Sequence, residues 1–166
     1  MNSNIYETLG ITKETMIKLA HKDIRNIFHT MICIGDIMPI PIQIDPQSHF
    51  TDCVTAIVGF AGHFTGLLNL HVPKSLALRF TSSMLGIEVT KLNSDVDDAL
   101  GEIANMIAGS LKHHLSKDGH EVRLSIPSIV TGDEYIISSA LMTNALTLLY
   151  DTYGEWFMVS LSAEIE

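Results

Sequence analysis

Ile17, Ala20, Ile24, Ile27, Phe28 and Met31 recur at helical spacing, with Lys18, Lys22, Arg25 and His29 set between them. This pattern predicts a helix over about residues 13–34 with one face in a core. Gly35 to Asp52 then carries Pro39, Pro41 and Pro46, which cannot donate to a central ladder, so the stretch reads as a loop or an irregular edge strand. Val54 to Phe60 and Phe64 to Val72 are β-rich and separated by Ala-Gly-His, a hairpin signal. Pro73 opens a short helix that Gly86 closes, the usual asymmetry of proline at the start and glycine at the end. Ser94 is the expected cap of the next helix, whose first turn holds Asp95, Asp97 and Asp98, where the dipole favours negative charge. That helix is expected to run to about Lys117 and stop at Asp118-Gly119.

Three further strands are expected at Glu121 to Val130, Ala145 to Tyr150 and Glu155 to Ser162, the last two joined by a hairpin loop at Asp151 to Gly154. Helices interleaved with short-turned strands imply an α+β fold, an antiparallel sheet packed against long helices, and not a doubly wound one. A long helix followed by strands occurs twice, and FTGLLNLHV and GEWFMVSLS are similar in character, so the chain admits a duplicated helix-plus-strands unit. No low-complexity segment or linker interrupts it. Residues 1–166 therefore read as one domain, with 1–12 a less ordered N-terminal segment.

Charge then narrows the partners. A net charge of −9 with no Lys/Arg block argues against nucleic acid, because nothing could release counterions from a phosphate backbone. Apolar residues are 46% and charged ones 17%, so part of the apolar surface is expected to be covered by a second copy. Met1 to Glu7 lacks the basic start of a signal peptide, and no apolar run reaches membrane length, so neither secretion nor membrane insertion is expected. Cys33 and Cys53 are too few for a disulfide framework and have no metal-ligand spacing; they read as buried free thiols in a cytoplasmic protein.

At about 100° per residue, Val96, Leu100, Ile103, Ala104, Ile107, Leu111 and Leu115 share one direction of the residue 94–117 helix. Asp98, Glu102, Asn105 and Gly109 share the opposite one. Each exposed glycine costs about 0.8–1 kcal/mol relative to alanine, so Gly101 and Gly109 ask for a reason. With Ala99, Ala108 and Ser110 also small, Glu102 and Asn105 are expected to protrude from a low floor against which another protein could lie. A solvated face with incidental charges would have the same spacing.

The run DDALGEIANMIAGSLK, Asp97 to Lys112, resembles the signature helix of the chemotaxis phosphatases CheC, CheX and FliY, with Asp98, Glu102 and Asn105 in that family's order. Pro127 sits near the proline that follows the family's signature helix, and GFAGHFTGLLNLHVP and ALRFTSSMLGIEV are similar to its hairpin and short helix. The resemblance implies a CheC-like fold. It also implies a phosphatase that hydrolyses the aspartyl phosphate of a CheY-like response regulator, ending a chemotaxis or two-component signal. In that role Asn105 orients the attacking water and Glu102 docks to a receiver lysine. Mg²⁺ is expected in the partner's site, with no cofactor or metal held by this chain. Asp23-Ile-Arg-Asn26 on the first helix has the same spacing but the shorter acid, in a basic and bulky face, so a single centre and hence a CheX-like homodimer is expected.

Two other readings compete. A receiver-binding adaptor or flagellar-switch-type module would keep the docking helix without activity. A metal-dependent hydrolase is suggested by eight histidines, but adjacent His113 and His114 point about 100° apart on a helix. His63 and His71 read as structural, and the Gly59, Gly62 and Gly66 cluster as serving the hairpin. Trp156 and Phe157 fit either strand core or a dimer contact.

Overall fold

The computed structural model describes residues 4–42, 44–45, 47–138 and 144–165, and of Asp118 only the backbone. Helices are α1 (Ile5–Leu9), α2 (Lys13–Ile27, continued by a π-turn Phe28–Ile32), α3 (Lys74–Leu85) and α4 (Ser94–Leu115). Strands are β1 (Met38–Ile40), β2 (His49–Gly62), β3 (Phe64–Pro73), β4 (Val122–Leu124), β5 (Ser128–Ile136), β6 (Leu146–Thr152) and β7 (Glu155–Ile165). They form a seven-stranded sheet in the order β1-β6-β7-β3-β2, with β4 and β5 both paired antiparallel to β2. Exchanging β1, β2 and β3 for β5, β6 and β7 reverses the order β1-β6-β7-β3-β2-β5 and leaves it otherwise unchanged. The two halves are thus interleaved about the β3–β7 seam, each lending its first strand to the hairpin of the other.

Alternation along the strands decides which face meets the helices. Val54, Ala56, Val58 and Phe60 of β2, Leu68, Leu70 and Val72 of β3, and Phe157, Val159 and Leu161 of β7 are buried in one cluster with Ile24, Ile27, Leu100, Ile103 and Ile107. At its centre Phe28 meets Phe80 and Phe157 with ring centroids 5.0 Å apart in each case. Tyr150 stacks on Phe157 at 5.2 Å, and its hydroxyl lies 2.8 Å from His21 Nδ1. Burial raises the Tyr150 pKa and lowers that of His21.

Several boundaries differ from expectation for identifiable reasons. Within residues 1–12, Asn4 caps α1, Gly10 ends it in a left-handed turn, and Ile5 and Tyr6 are buried in the core cluster. Asn93, not Ser94, caps α4: its extended backbone lets its side chain accept from Asp95 N and Val96 N. The strand expected over 121–130 is two strands, because Ser125, Ile126 and Pro127 interrupt the ladder. Pro39 lies in the edge strand β1, whereas Pro46 falls outside the described residues. Cys33 is exposed, not buried, since it ends the π-turn with φ 62°, and Cys53 is half-buried. Trp156 and Phe157 split between the two faces, Trp156 exposed and Phe157 in the core.

Gly62 is required by close approach. With φ 143°, a Cβ there would lie 2.1 Å from Glu121 O, and His63 N donates to that same carbonyl. The hairpin tip can therefore seat directly against the chain leaving α4.

Candidate functional site

α4 begins with two amides satisfied by Asn93 and with Asp95 and Asp97 in its first turn. Its inner face, Val96, Leu100, Ile103, Ala104, Ile107, Leu111 and Leu115, is buried against β2, β3, α2 and α3. Helical geometry then leaves Asp98, Glu102, Asn105 and Gly109 exposed in one row. Among the described residues, neither Glu102 nor Asn105 has a hydrogen-bond or ion-pair partner. An acid and an amide on a rigid helix, both free, can bind a cation and hold a water.

The small-residue floor is narrower than expected. Ala99, Gly101 and Ala108 are all buried. A Cβ at Gly101 would lie 3.5 Å from Pro127 Cβ and 3.8 Å from Ile129 Cδ1, so this glycine faces the strand break beside α4 and not the surface. Gly109 alone is both exposed and open, with nothing within 4 Å of where its Cβ would be. The physical reason is that a helix seated between neighbours exposes a strip, and positions on either flank are covered.

The acid and amide of α2 do not form a matching pair. Asp23 turns toward α4 and accepts from His114 Nε2 at 2.6 Å, while Asn26 stays exposed. His114 is thereby half-buried and His113 exposed, their rings edge to face with centroids 5.7 Å apart. Among the described residues no group of three or more His, Cys, Asp and Glu could hold a metal ion.

His71 is buried in a polar cluster: its Nδ1 lies 2.8 Å from Thr55 Oγ1, its Nε2 lies 3.3 Å from Ser160 Oγ, and Phe50 stacks on the ring at 4.1 Å. Burial lowers its pKa to about 4. The Tyr135 hydroxyl, 2.7 Å from Thr55 Oγ1, is pushed up to about 12 mainly by desolvation. His63 stacks on His120 with centroids 3.8 Å apart. Ile126, 87% exposed in the break between β4 and β5, was not legible as exposed, because it lies in a run that reads as a half-buried strand.

An antiparallel sheet built from two exchanged halves, helices on its inner face and an outward acid-amide pair on α4 define an α+β protein of the CheC-like fold. Two relatives bear on the family and a third on the fold. CheY-P phosphatase CheX of Thermotoga maritima is 31% identical over 87 residues, covering 52% of this chain and 56% of that protein, so the match spans little more than half of the relative's length. The chemotaxis protein CheX of Desulfovibrio desulfuricans superposes with a TM-score of 0.76 at 28% identity, over 90% of this chain and 99% of that one. The CheX of a CheX–CheY–BeF3–Mg²⁺ complex from Borrelia burgdorferi shares the fold, with a TM-score of 0.67 at 18% identity over 89% and 97% of the two chains. Residues 54–151 match the family described as chemotaxis phosphatase CheX, and the chain belongs to that family.

Proposed function

We propose that the protein hydrolyses the aspartyl phosphate of a CheY-like response regulator. The observation that carries this reading is the pair Glu102 and Asn105, exposed together on the outward row of α4 and without partners among the described residues. Family membership and the CheY-P phosphatase relative support the same substrate class.

An acyl phosphate is already activated, so hydrolysis needs a water held in line with the bond to be broken. The Asn105 amide, which both donates and accepts, orients that water. The water oxygen bonds to phosphorus as the bond to the aspartyl oxygen breaks; the carboxylate leaves with the electron pair and the water proton passes to phosphate or solvent. Mg²⁺ belongs to the receiver and neutralises phosphoryl charge there. Glu102, one turn from Asn105, pairs with a receiver lysine and sets the docking register. In this reading two copies pair as a homodimer and the protein acts in the cytoplasm.

The test follows loss of phosphate from candidate phosphorylated receivers with the wild-type protein and Asn105→Ala. Wild type is expected to shorten the phosphate lifetime and the variant to lose that effect while keeping its fold. Full activity in Asn105→Ala would sink the assignment, and binding without any change in lifetime would favour a non-catalytic adaptor.

A further inference from the structure

Beside the Glu102–Asn105 row, the break between β4 and β5 holds an apolar side chain out into solvent. Phe60 pairs with Leu124 but Ile57 pairs with Ser128, so the register on β2 slips by one residue across the break. Ser125 N donates to Gly59 O at 2.8 Å, Gly59 N donates to Ser125 Oγ at 2.9 Å, and the Ser125 hydroxyl donates to Ile126 O at 3.0 Å. The first two bonds fix the bulge to Gly59, near the end of β2, and the third closes within the bulge itself. Next along the chain, Pro127 faces Gly101, whose helical neighbours at i−3 and i+4 are Asp98 and Asn105. Ile126 between them is 87% exposed, more than any other large apolar residue among those described.

We infer that Ile126 is the apolar anchor by which this protein docks its phosphorylated receiver, an inference that rests on the function proposed above. Asp98, Glu102 and Asn105 supply only polar contacts, which exchange for water at little net gain, whereas interfaces take much of their affinity from a few desolvated apolar side chains. A receiver that brings its phosphoryl group to Asn105 must lie along the outward row of α4 and meet the flank that Pro127 forms against Gly101. In this proposal the bulge holds Ile126, the residue before Pro127, at that flank without the ordering cost of a flexible loop. Asn105 and Ile126 therefore divide the work, one acting on the reacting water and the other on affinity.

The experiment titrates wild type, Ile126→Ala and Ile126→Glu against a phosphorylated receiver. It records the half-saturating receiver concentration, the maximal rate of phosphate loss, binding of the receiver and the oligomeric state. The expected result is a half-saturating concentration raised about tenfold in Ile126→Ala and more in Ile126→Glu, with the maximal rate and thermal midpoint unchanged. Unchanged half-saturation with an active wild type overturns the anchor and leaves the phosphatase reading standing. A fall in maximal rate alone overturns it in favour of the bulge acting on Asn105. A change in oligomeric state assigns Ile126 to contact with a second copy instead. Wild type that neither binds nor dephosphorylates any receiver overturns both readings.

Discussion

Asp23 Oδ2 lies 2.6 Å from His114 Nε2, joining the middle of α2 to the last turn of α4. The side chains are 28% and 12% exposed, so the pair is sheltered but not sealed from water. This contact takes the acid of Asp23-Ile-Arg-Asn26 out of the outward face. Asp23→Ala and Asn26→Ala are accordingly expected to leave receiver dephosphorylation unchanged. Asp23→Ala should cost about 1 kcal/mol, the worth of one charge-assisted bond discounted for exposure, measured by urea unfolding in a double-mutant cycle with His114→Ala.

Gly109 has a helical backbone and open space where a Cβ would be. Gly109→Ala is expected to stabilise the protein by about 0.8–1 kcal/mol in thermal or denaturant unfolding. If the opening there admits the receiver, the same variant has a raised half-saturating receiver concentration; if it does not, only stability changes.

The docking role proposed for Glu102 carries an ionic-strength signature. The half-saturating receiver concentration should rise with added salt, and Glu102→Gln should both raise it at low salt and flatten the dependence. Steady-state phosphate release at several salt concentrations measures this directly.

His71 gives a pH dependence of stability. Its pKa is about 4 when folded and about 6.5 when unfolded, so between those values the unfolded chain binds the extra proton. The contribution is fully present above about pH 6.5 and is lost as the pH falls through 4, amounting to roughly 3 kcal/mol. Urea unfolding between pH 4 and 7 should show the slope, and His71→Gln should reduce it.

Phe28 is wholly buried against Phe80 and Phe157, where the π-turn of α2 meets α3 and β7. Truncation leaves a cavity that close packing cannot readily refill. Phe28→Ala is expected to cost about 3–5 kcal/mol in equilibrium unfolding.

Local pattern decided a good deal. The periodicity that buries Leu100, Ile103 and Ile107 necessarily turns Glu102 and Asn105 outward, since 3.6 residues per turn leaves no other arrangement. Alternation in Val54 to Phe60 and Phe64 to Val72, with Pro73 and Gly86 bounding a short helix, likewise made the first hairpin and α3 legible. Misreadings fell where neighbours compete for one role. Asn93 and Ser94 are both good caps, and only backbone geometry selects Asn93. Gly101 and Gly109 look alike in sequence, yet one is buried beside Pro127 and the other is open.

By itself the sequence determined the two long amphipathic helices, the hairpins, the outward row of α4 and the resemblance that names a chemistry for it, because each of these depends on residues close together in the chain. Tertiary structure alone decided that β7 pairs with β3, that Asp23 turns to His114, and that Pro127, the residue after Ile126, packs on Gly101 of α4. Those relationships join residues far apart in sequence, and their energies come from packing and burial that no local pattern encodes.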